Sequence, residues 1–202
     1  MHLNKVAAML LLAVSACSAD ATAPENGSGD TRAAAKTETA VLAGGCFWCM
    51  ESDLEKLDGV GDVVSGYAGG HLANPTYRNH TGHIEVVRAP FDPTVISYRE
   101  ILDYYFRHID PLDAEGQFCD RGHSYTTAIF YQNADQYADA LAAKEAAAQA
   151  LGEPVATTVQ ELSEFWIAED YHQDYYKKNP IRYKLYRTSC GRDKRVKEVW
   201  GK

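Results

Sequence analysis

With 202 residues and a formal charge of -8, the chain is long enough to bury one substantial core and carries no excess of base to neutralise phosphates. Nucleic acid is therefore not an expected partner. The mixture of apolar and charged residues is that of a folded domain rather than a disordered chain.

The first residues read as an export leader, with Lys5 as a basic start and Val6 to Val14 as an apolar run too short to span a bilayer. The run ends in Val14-Ser15-Ala16-Cys17, which resembles the lipobox of bacterial lipoproteins. That resemblance implies a signal peptide over 1–16, a lipid anchor on Cys17 and, from Ser18, sorting to the outer membrane with the domain facing the periplasm. An ordinary cleaved leader with a chance cysteine is the alternative. From there to Thr37 almost nothing is apolar and larger than alanine, so 17–37 is expected to be a flexible tether. The folded domain is assigned to 38–202. If Cys17 carries lipid, that domain keeps four cysteines: Cys46, Cys49, Cys119 and Cys190.

Glu38 to Ala43 is a strand candidate, followed by Gly44-Gly45 and a helix with Phe47, Met50, Leu54 and Leu57 at helical spacing. Val60 to Tyr67 and His83 to Ala89 read as strands. Ser97 and Glu100 form a capping box for a helix burying Ile101, Leu102, Tyr105, Phe106 and Ile109. Ser124 to Tyr131 is a further strand. Asn133 with Gln136 offers a second capping box, before an alanine-rich helix that stops near Gly152. Val155 to Leu162 reads as a strand, Ala168 to Lys178 as a helix ended by Asn179-Pro180, and the tail as irregular or partly helical. Strands and helices intermix without strict alternation, which predicts an α+β fold, a two-layer sandwich of helices packed on a mixed sheet.

Strand, glycine turn and helix place Cys46 at a helix N-terminus, where free N–H groups and the dipole are expected to lower a thiol pKa. Cys49 follows at a CxxC spacing. The segment Gly45-Cys46-Phe47-Trp48-Cys49-Met50-Glu51 resembles the signature of A-type peptide methionine sulfoxide reductases, in the subgroup with a cysteine directly after the tryptophan. The resemblance continues through Gly66-Tyr67-Ala68-Gly69-Gly70, Asn74-Pro75-Thr76-Tyr77-Arg78, Thr81-Gly82-His83-Ile84-Glu85 and Cys119 to Tyr125, in the family's order.

The resemblance implies a ferredoxin-like plait and thiol-dependent reduction of the S-epimer of methionine sulfoxide in proteins, peptides and free methionine. It implies a catalytic set of Cys46, Glu85, Tyr77, Tyr125 and Asp120. Sulfoxide sulfur becomes electrophilic only when its oxygen is protonated or strongly hydrogen-bonded, so the thiolate needs an acid and fixed donors beside it. Glu85, between Ile84 and Val86-Val87 in a strand, is the best acid, because burial there would keep it protonated. An ion pair with Arg88 is its alternative. Phe47 and Trp48 could enclose the methyl group on sulfur. The sulfenic acid left on Cys46 is expected to condense with Cys190, in the tail where the family carries its recycling cysteine, or else with Cys49. Cys119 could be a buried thiol.

No bound cofactor or metal is expected, since the CxxC lacks a second ligand pair for zinc. The expected partners are oxidised proteins and thioredoxin or a thioredoxin-like protein as external reductant, and a monomer is the default. Two rivals remain. A thioredoxin-like disulfide oxidoreductase leaves Glu85 and Tyr77 without a task, and a binding lipoprotein stapled by two disulfides would need no reduced cysteine.

Overall fold

The structure, a computed structural model, describes residues 37–201. The leader, Cys17 and all of the tether except Thr37 lie outside the described residues. In chain order the elements are β1 (Glu38–Gly44), α1 (Phe47–Leu54), β2 (Val64–Ala68), β3 (Ile84–Phe91), α2 (Tyr98–Phe106), β4 (Gly116–Gln117) and β5 (Asp120–Arg121). They continue with a 3₁₀ turn at His123–Tyr125, then β6 (Thr127–Tyr131), α3 (Ala134–Leu151), β7 (Thr158–Glu161), β8 (Phe165–Ile167), α4 (Tyr175–Lys178), α5 (Pro180–Ser189) and α6 (Arg192–Trp200).

β1 shows how the sheet is built. Its Ala40 and Leu42 enter the cluster shared with α1, α2 and α3, whereas Val41 and Ala43 enter a smaller cluster on the other face with Val86 and Phe130. That alternation is the two-residue period of a pleated strand. The six-stranded sheet has the order β7-β6-β1-β3-β2-β8. All of its pairings are antiparallel except β6 with β7, which run parallel across the α3 crossover. The central four strands with α1 and α2 therefore make the βαββαβ plait, and β7 and β8 extend its edges.

Local signals explain most boundaries. At α2 the Ser97 side chain accepts from the Glu100 N–H at 3.2 Å and the Ser97 N–H donates to the Glu100 carboxylate at 2.8 Å. At α3 only half of the expected box forms. Asn133 accepts from the Gln136 N–H at 2.9 Å, but the Gln136 amide turns away to the Gln132 N–H and the Thr39 carbonyl, tying the helix start to β1. Gly152 closes α3 in the left-handed conformation, at φ 74°.

Three expectations need correction. The strand read from Ser124 begins at Thr127, because His123–Tyr125 coil into the 3₁₀ turn. β8 was not anticipated; three residues are too few to show a period. The helix read from Ala168 is a run of turns with only Tyr175–Lys178 helical. There the Gln173 side chain is engaged by β2, accepting from the Ser65 N–H and donating to the Ser65 carbonyl, each at 2.9 Å. Asp174 also adopts φ +54°, which no helix interior tolerates.

The tail, by contrast, is regular. Pro180 starts α5 at a position that needs no N–H, and Gly191 separates it from α6. These helices fasten onto the C-terminal end of α1 through Asp53, a fully buried carboxylate 3.0 Å from Arg187 and 3.7 Å from Arg192. Arg192 is itself buried and donates to the carbonyls of Gly44 and His108 at 3.1 and 2.9 Å. The C-terminal arm thus reads the end of β1 and the end of α1 together.

Candidate active site

β1 ends at Gly44, and the chain turns through Gly45, at φ 80°, into α1 with Cys46 as its N-cap residue. A Cβ on Gly45 would stand 2.5 Å from Gln117, and one on Gly44 would stand 2.3 Å from the Met50 sulfur. The turn therefore needs glycine for both conformation and space. The Cys46 carbonyl accepts from the N–H groups of Cys49 and Met50 at 3.0 and 3.3 Å, so Cys49 sits one turn on and its thiol meets that of Cys46.

The first free donor of α1, the Phe47 N–H, points at Glu85 at 3.1 Å. This explains a correction in sign. The helix N-terminus does not lower the Cys46 thiol, which is pushed well above its ordinary 9.0 by burial, by its contact with Cys49 and by Glu85. Cys49 takes the negative charge more readily: the Cys46 thiol hydrogen-bonds to it, burial opposes, and Arg192 and Arg187 lower it further, to about 7. Glu85 behaves as its strand setting suggests. Burial raises it to about 8, against the Phe47 N–H and helped by the charge of Asp120. Arg88 does not pair with it; its guanidinium lies over the Phe165 ring at 4.6 Å.

Cys46, Phe47, Trp48, Tyr77, Glu85, Asp120 and Tyr125 line one cavity of ≈ 50 Å³, and Tyr186 is its eighth wall. The phenols of Tyr77 and Tyr125 are hydrogen-bonded to each other, and burial raises both above their ordinary range. Glu169 positions Tyr77, accepting its backbone N–H at 2.9 Å while taking the Tyr67 hydroxyl at 3.0 Å. Asp120, half-buried on β5, is raised by burial despite the hydroxyl of Tyr186 that donates to it. A larger groove of ≈ 330 Å³ beside Phe106, Ala147 and Trp200 contains neither a cysteine nor a buried acid.

The sequence missed three residues of this region. Tyr175 stacks on Trp48 at 3.7 Å, and Tyr186 meets its edge at 5.9 Å. His172, only 1% exposed, accepts the Trp48 indole N–H at 3.1 Å and packs on Phe47 and Tyr77. Desolvation lowers its pKa to about 4, so it is neutral, with the remaining proton on Nε2. Its sequence setting gave only an aromatic, acidic segment, which does not separate a site residue from a packed one.

The other two cysteines among the described residues are paired. Cys119 and Cys190 form a disulfide, while Cys46 and Cys49 are free thiols. Cys119 is therefore not a buried thiol but an exposed half of a bond, because it sits on the β4–β5 turn against the end of α5. In this state Cys190 is held by Cys119 instead of being free to reach Cys46.

The sequence model of a family described as peptide methionine sulfoxide reductase matches residues 38–202. Peptide methionine sulfoxide reductase MsrA 2 from Rhizobium meliloti (strain 1021) is 53% identical over 170 residues, covering 83% of this chain and 86% of that protein. Among solved structures, Mxr1 from Saccharomyces cerevisiae in reduced form superposes with a TM-score of 0.69 at 31% identity, over 73% of this chain and 88% of that one. Mxr1 in complex with Trx2 superposes with a TM-score of 0.51 at 25% identity, over 70% and 86% respectively.

Proposed function

The chain belongs to the peptide methionine sulfoxide reductase family and reduces methionine sulfoxide, and on that premise we propose that Cys46 is its nucleophile, Glu85 its acid and the S-epimer its substrate. The observation that carries this reading is the pairing, in one small cavity, of a buried thiol with a carboxyl group that stays protonated to about pH 8. The Cys46 thiolate attacks the sulfoxide sulfur while Glu85 gives its proton to the oxygen and the phenols of Tyr77 and Tyr125 hold that oxygen. The hydroxyl so formed passes from the substrate sulfur to the Cys46 sulfur as the sulfur–oxygen bond of the substrate and the new sulfur–sulfur bond both break, and methionine leaves as the thioether. Cys46, oxidised by two electrons, carries the oxygen as a sulfenic acid. Phe47 and Trp48 offer an apolar wall for the methyl group on sulfur.

Recycling uses both cysteine pairs in this reading. The thiol in contact with Cys46 is that of Cys49, so Cys49 condenses first, forming a Cys46–Cys49 disulfide and releasing water. Exchange with the dithiol of Cys119 and Cys190 then frees the active-site thiols and oxidises the outer pair, the oxidation state in which the molecule stands. A thioredoxin-like reductant takes over at Cys119, which is exposed. The complex of the related Mxr1 with Trx2 supports a partner of that kind.

Cys46→Ser should abolish reduction of separated S-sulfoxide by dithiothreitol, and wild type should leave the R-epimer untouched. Retained activity in the variant, or equal rates on both epimers, would sink the assignment. Cys190→Ser should trap the Cys46–Cys49 disulfide, visible by mass spectrometry. If that variant accumulates sulfenic acid and Cys49→Ser turns over normally with thioredoxin, Cys190 is the direct partner instead.

The leader supports export, and the proposal extends to a lipid anchor on Cys17 of a tether over 17–37, carrying the domain of 38–202 in the periplasm as a monomer. Incorporation of labelled palmitate that is lost in Cys17→Ala tests the anchor. Its presence in Cys17→Ala would place the lipid elsewhere.

A further inference from the structure

Trp48 is one wall of the catalytic cavity, and its indole is held from three directions. Tyr175 of α4 lies parallel on its face, with ring centroids 3.7 Å apart and planes 7° from each other. Tyr186 of α5 meets it edge-on, at 5.9 Å and 82°. His172, on the turns before α4, takes the indole N–H on Nδ1 at 3.1 Å. Stacking opposes a tilt of the indole but leaves it free to slide within its own plane. The hydrogen bond is the directional contact that fixes it there. An indole N–H can only donate, so Nδ1 is its acceptor and the imidazole proton sits on Nε2.

Packing alone does not explain an imidazole at this place. His172 is buried, and its Nε2 makes no hydrogen bond among the described residues. A buried donor without a partner is costly. An apolar ring would remove that orphan and leave the indole N–H without its acceptor instead, so the exchange is close to neutral for stability. What the imidazole adds is the direction of the indole. The chain anchors the imidazole accordingly. The His172 N–H donates to the Glu169 carbonyl at 2.8 Å, and the Gln173 amide, already bound to Ser65, also donates to the Ala168 carbonyl at 2.9 Å. The Asp174 N–H donates to the buried Glu51 carboxylate at 2.6 Å. Glu51 lies one turn from Trp48 in α1, so the helix that carries the indole also grips the turn that holds it.

We propose that His172 is a positioning residue for specificity: by fixing the Trp48 indole it sets the width of the cavity to a methyl group on the sulfoxide sulfur and turns away larger alkyl groups. This rests on the reading of Trp48 as the wall for that methyl group and goes beyond it by naming what holds the wall. In a cavity of ≈ 50 Å³ an ethyl group needs the indole to move. With its face under Tyr175 and its N–H on His172, the indole moves only by breaking both contacts. Loss of the acceptor frees it to slide, and the cavity then admits the larger group.

The probes are the S-sulfoxides of methionine and of ethionine, compared by kcat/KM with dithiothreitol in the full chain. Wild type should prefer the methyl compound at least about 10-fold, the scale on which a hydrophobic pocket reads one methylene. His172→Phe keeps a ring but puts carbon where Nδ1 stands, so it should hold about the wild-type urea midpoint while its preference falls to roughly 3-fold or less. His172→Asn should do the reverse. Its side-chain oxygen can stand in for Nδ1 while ring volume is lost, so it should be less stable and keep the wild-type preference. A merely structural His172 would follow ring volume, with the preference kept in His172→Phe and lost in His172→Asn. That ordering, or one equal preference in all three proteins, overturns the proposal. His172→Leu, which also lacks an acceptor, carries the decision if His172→Phe fails to fold. Trp48→Phe tests the reading beneath: it should lose the preference, and adding His172→Phe to it should change nothing more. If Trp48→Phe loses the preference while folded His172→Phe keeps it, the wall stands and only its holder is lost. If Trp48→Phe keeps it, the wall falls and the proposal with it.

Discussion

The two ends of α1 each hold a buried carboxyl group, and the two are tuned in opposite directions. At the N-terminal end, Glu85 has one backbone N–H for company, and burial raises it to about 8. At the C-terminal end, burial would raise Asp53 too, but Arg192, Arg187 and Lys56 hold it below its ordinary 3.8. Burial alone does not decide whether an acid is charged; the company it keeps does. The end without cations keeps a proton to give, and the end with them becomes the joint on which the C-terminal arm rests.

The largest expected effect comes from breaking that joint. Asp53→Asn leaves Arg192 buried with no carboxylate, its guanidinium still facing the Gly44 and His108 carbonyls. Removing one partner of a buried ion pair typically costs about 3–5 kcal/mol, read here as a lowered urea midpoint at unchanged slope. A loss below about 1 kcal/mol, the scale of exposed pairs, would mean that Arg187 and its second partner Asp193 carry the arm. The pH dependence follows the sign of the shift. With the folded pKa depressed, the contribution of Asp53 is complete above pH 3.8 and fades as pH falls through the lower folded value.

At the other end the expected effect is on rate. Glu85→Gln should slow single-turnover reduction roughly 10²-fold, about 2.7 kcal/mol, while a stopped-flow signal for substrate binding changes little. With the folded pKa raised, the acid form is present below about 8 and lost as pH rises through it, so the wild-type chemical step should decline on that alkaline limb. The variant should lack the limb. Wild-type rates in the variant, or a limb that persists, would move the acid elsewhere, with Asp120 next in line.

How far the sequence disclosed all this depended on range. The Ser97–Glu100 box, the Gly152 stop and the strand leading to Gly44-Gly45 are written in a few adjacent residues, and each boundary followed. The residues from Phe47 to Tyr125 that line the cavity sat in recognisable motifs, so their grouping was legible even though no single residue declared it. Tyr186 and His172 come to the site only through the packing of α5 and the turns before α4, contacts more than 100 residues from α1. No local pattern encodes that. The direction of the Cys46 shift was misread for a related reason: the helix N-terminus was visible in sequence, but the carboxyl group that takes its N–H comes from β3.

The smallest effect supplies the control for the other two. Ser97→Ala removes one half of the box that starts α2, where the hydroxyl accepts the Glu100 N–H and itself donates to the Glu100 carboxylate at 2.6 Å. Loss of such a cap costs about 1 kcal/mol, and it is spread over a helix whose buried face of Ile101, Leu102, Tyr105 and Phe106 stays intact. The cap lies in neither the cavity nor the Asp53 joint. The variant should therefore melt a few degrees lower and keep both the single-turnover rate and its alkaline limb. If Ser97→Ala slowed the chemical step as Glu85→Gln does, loosening anywhere in the fold would suffice to disturb the site, and the separation of the two ends of α1 into one for reaction and one for stability would fail.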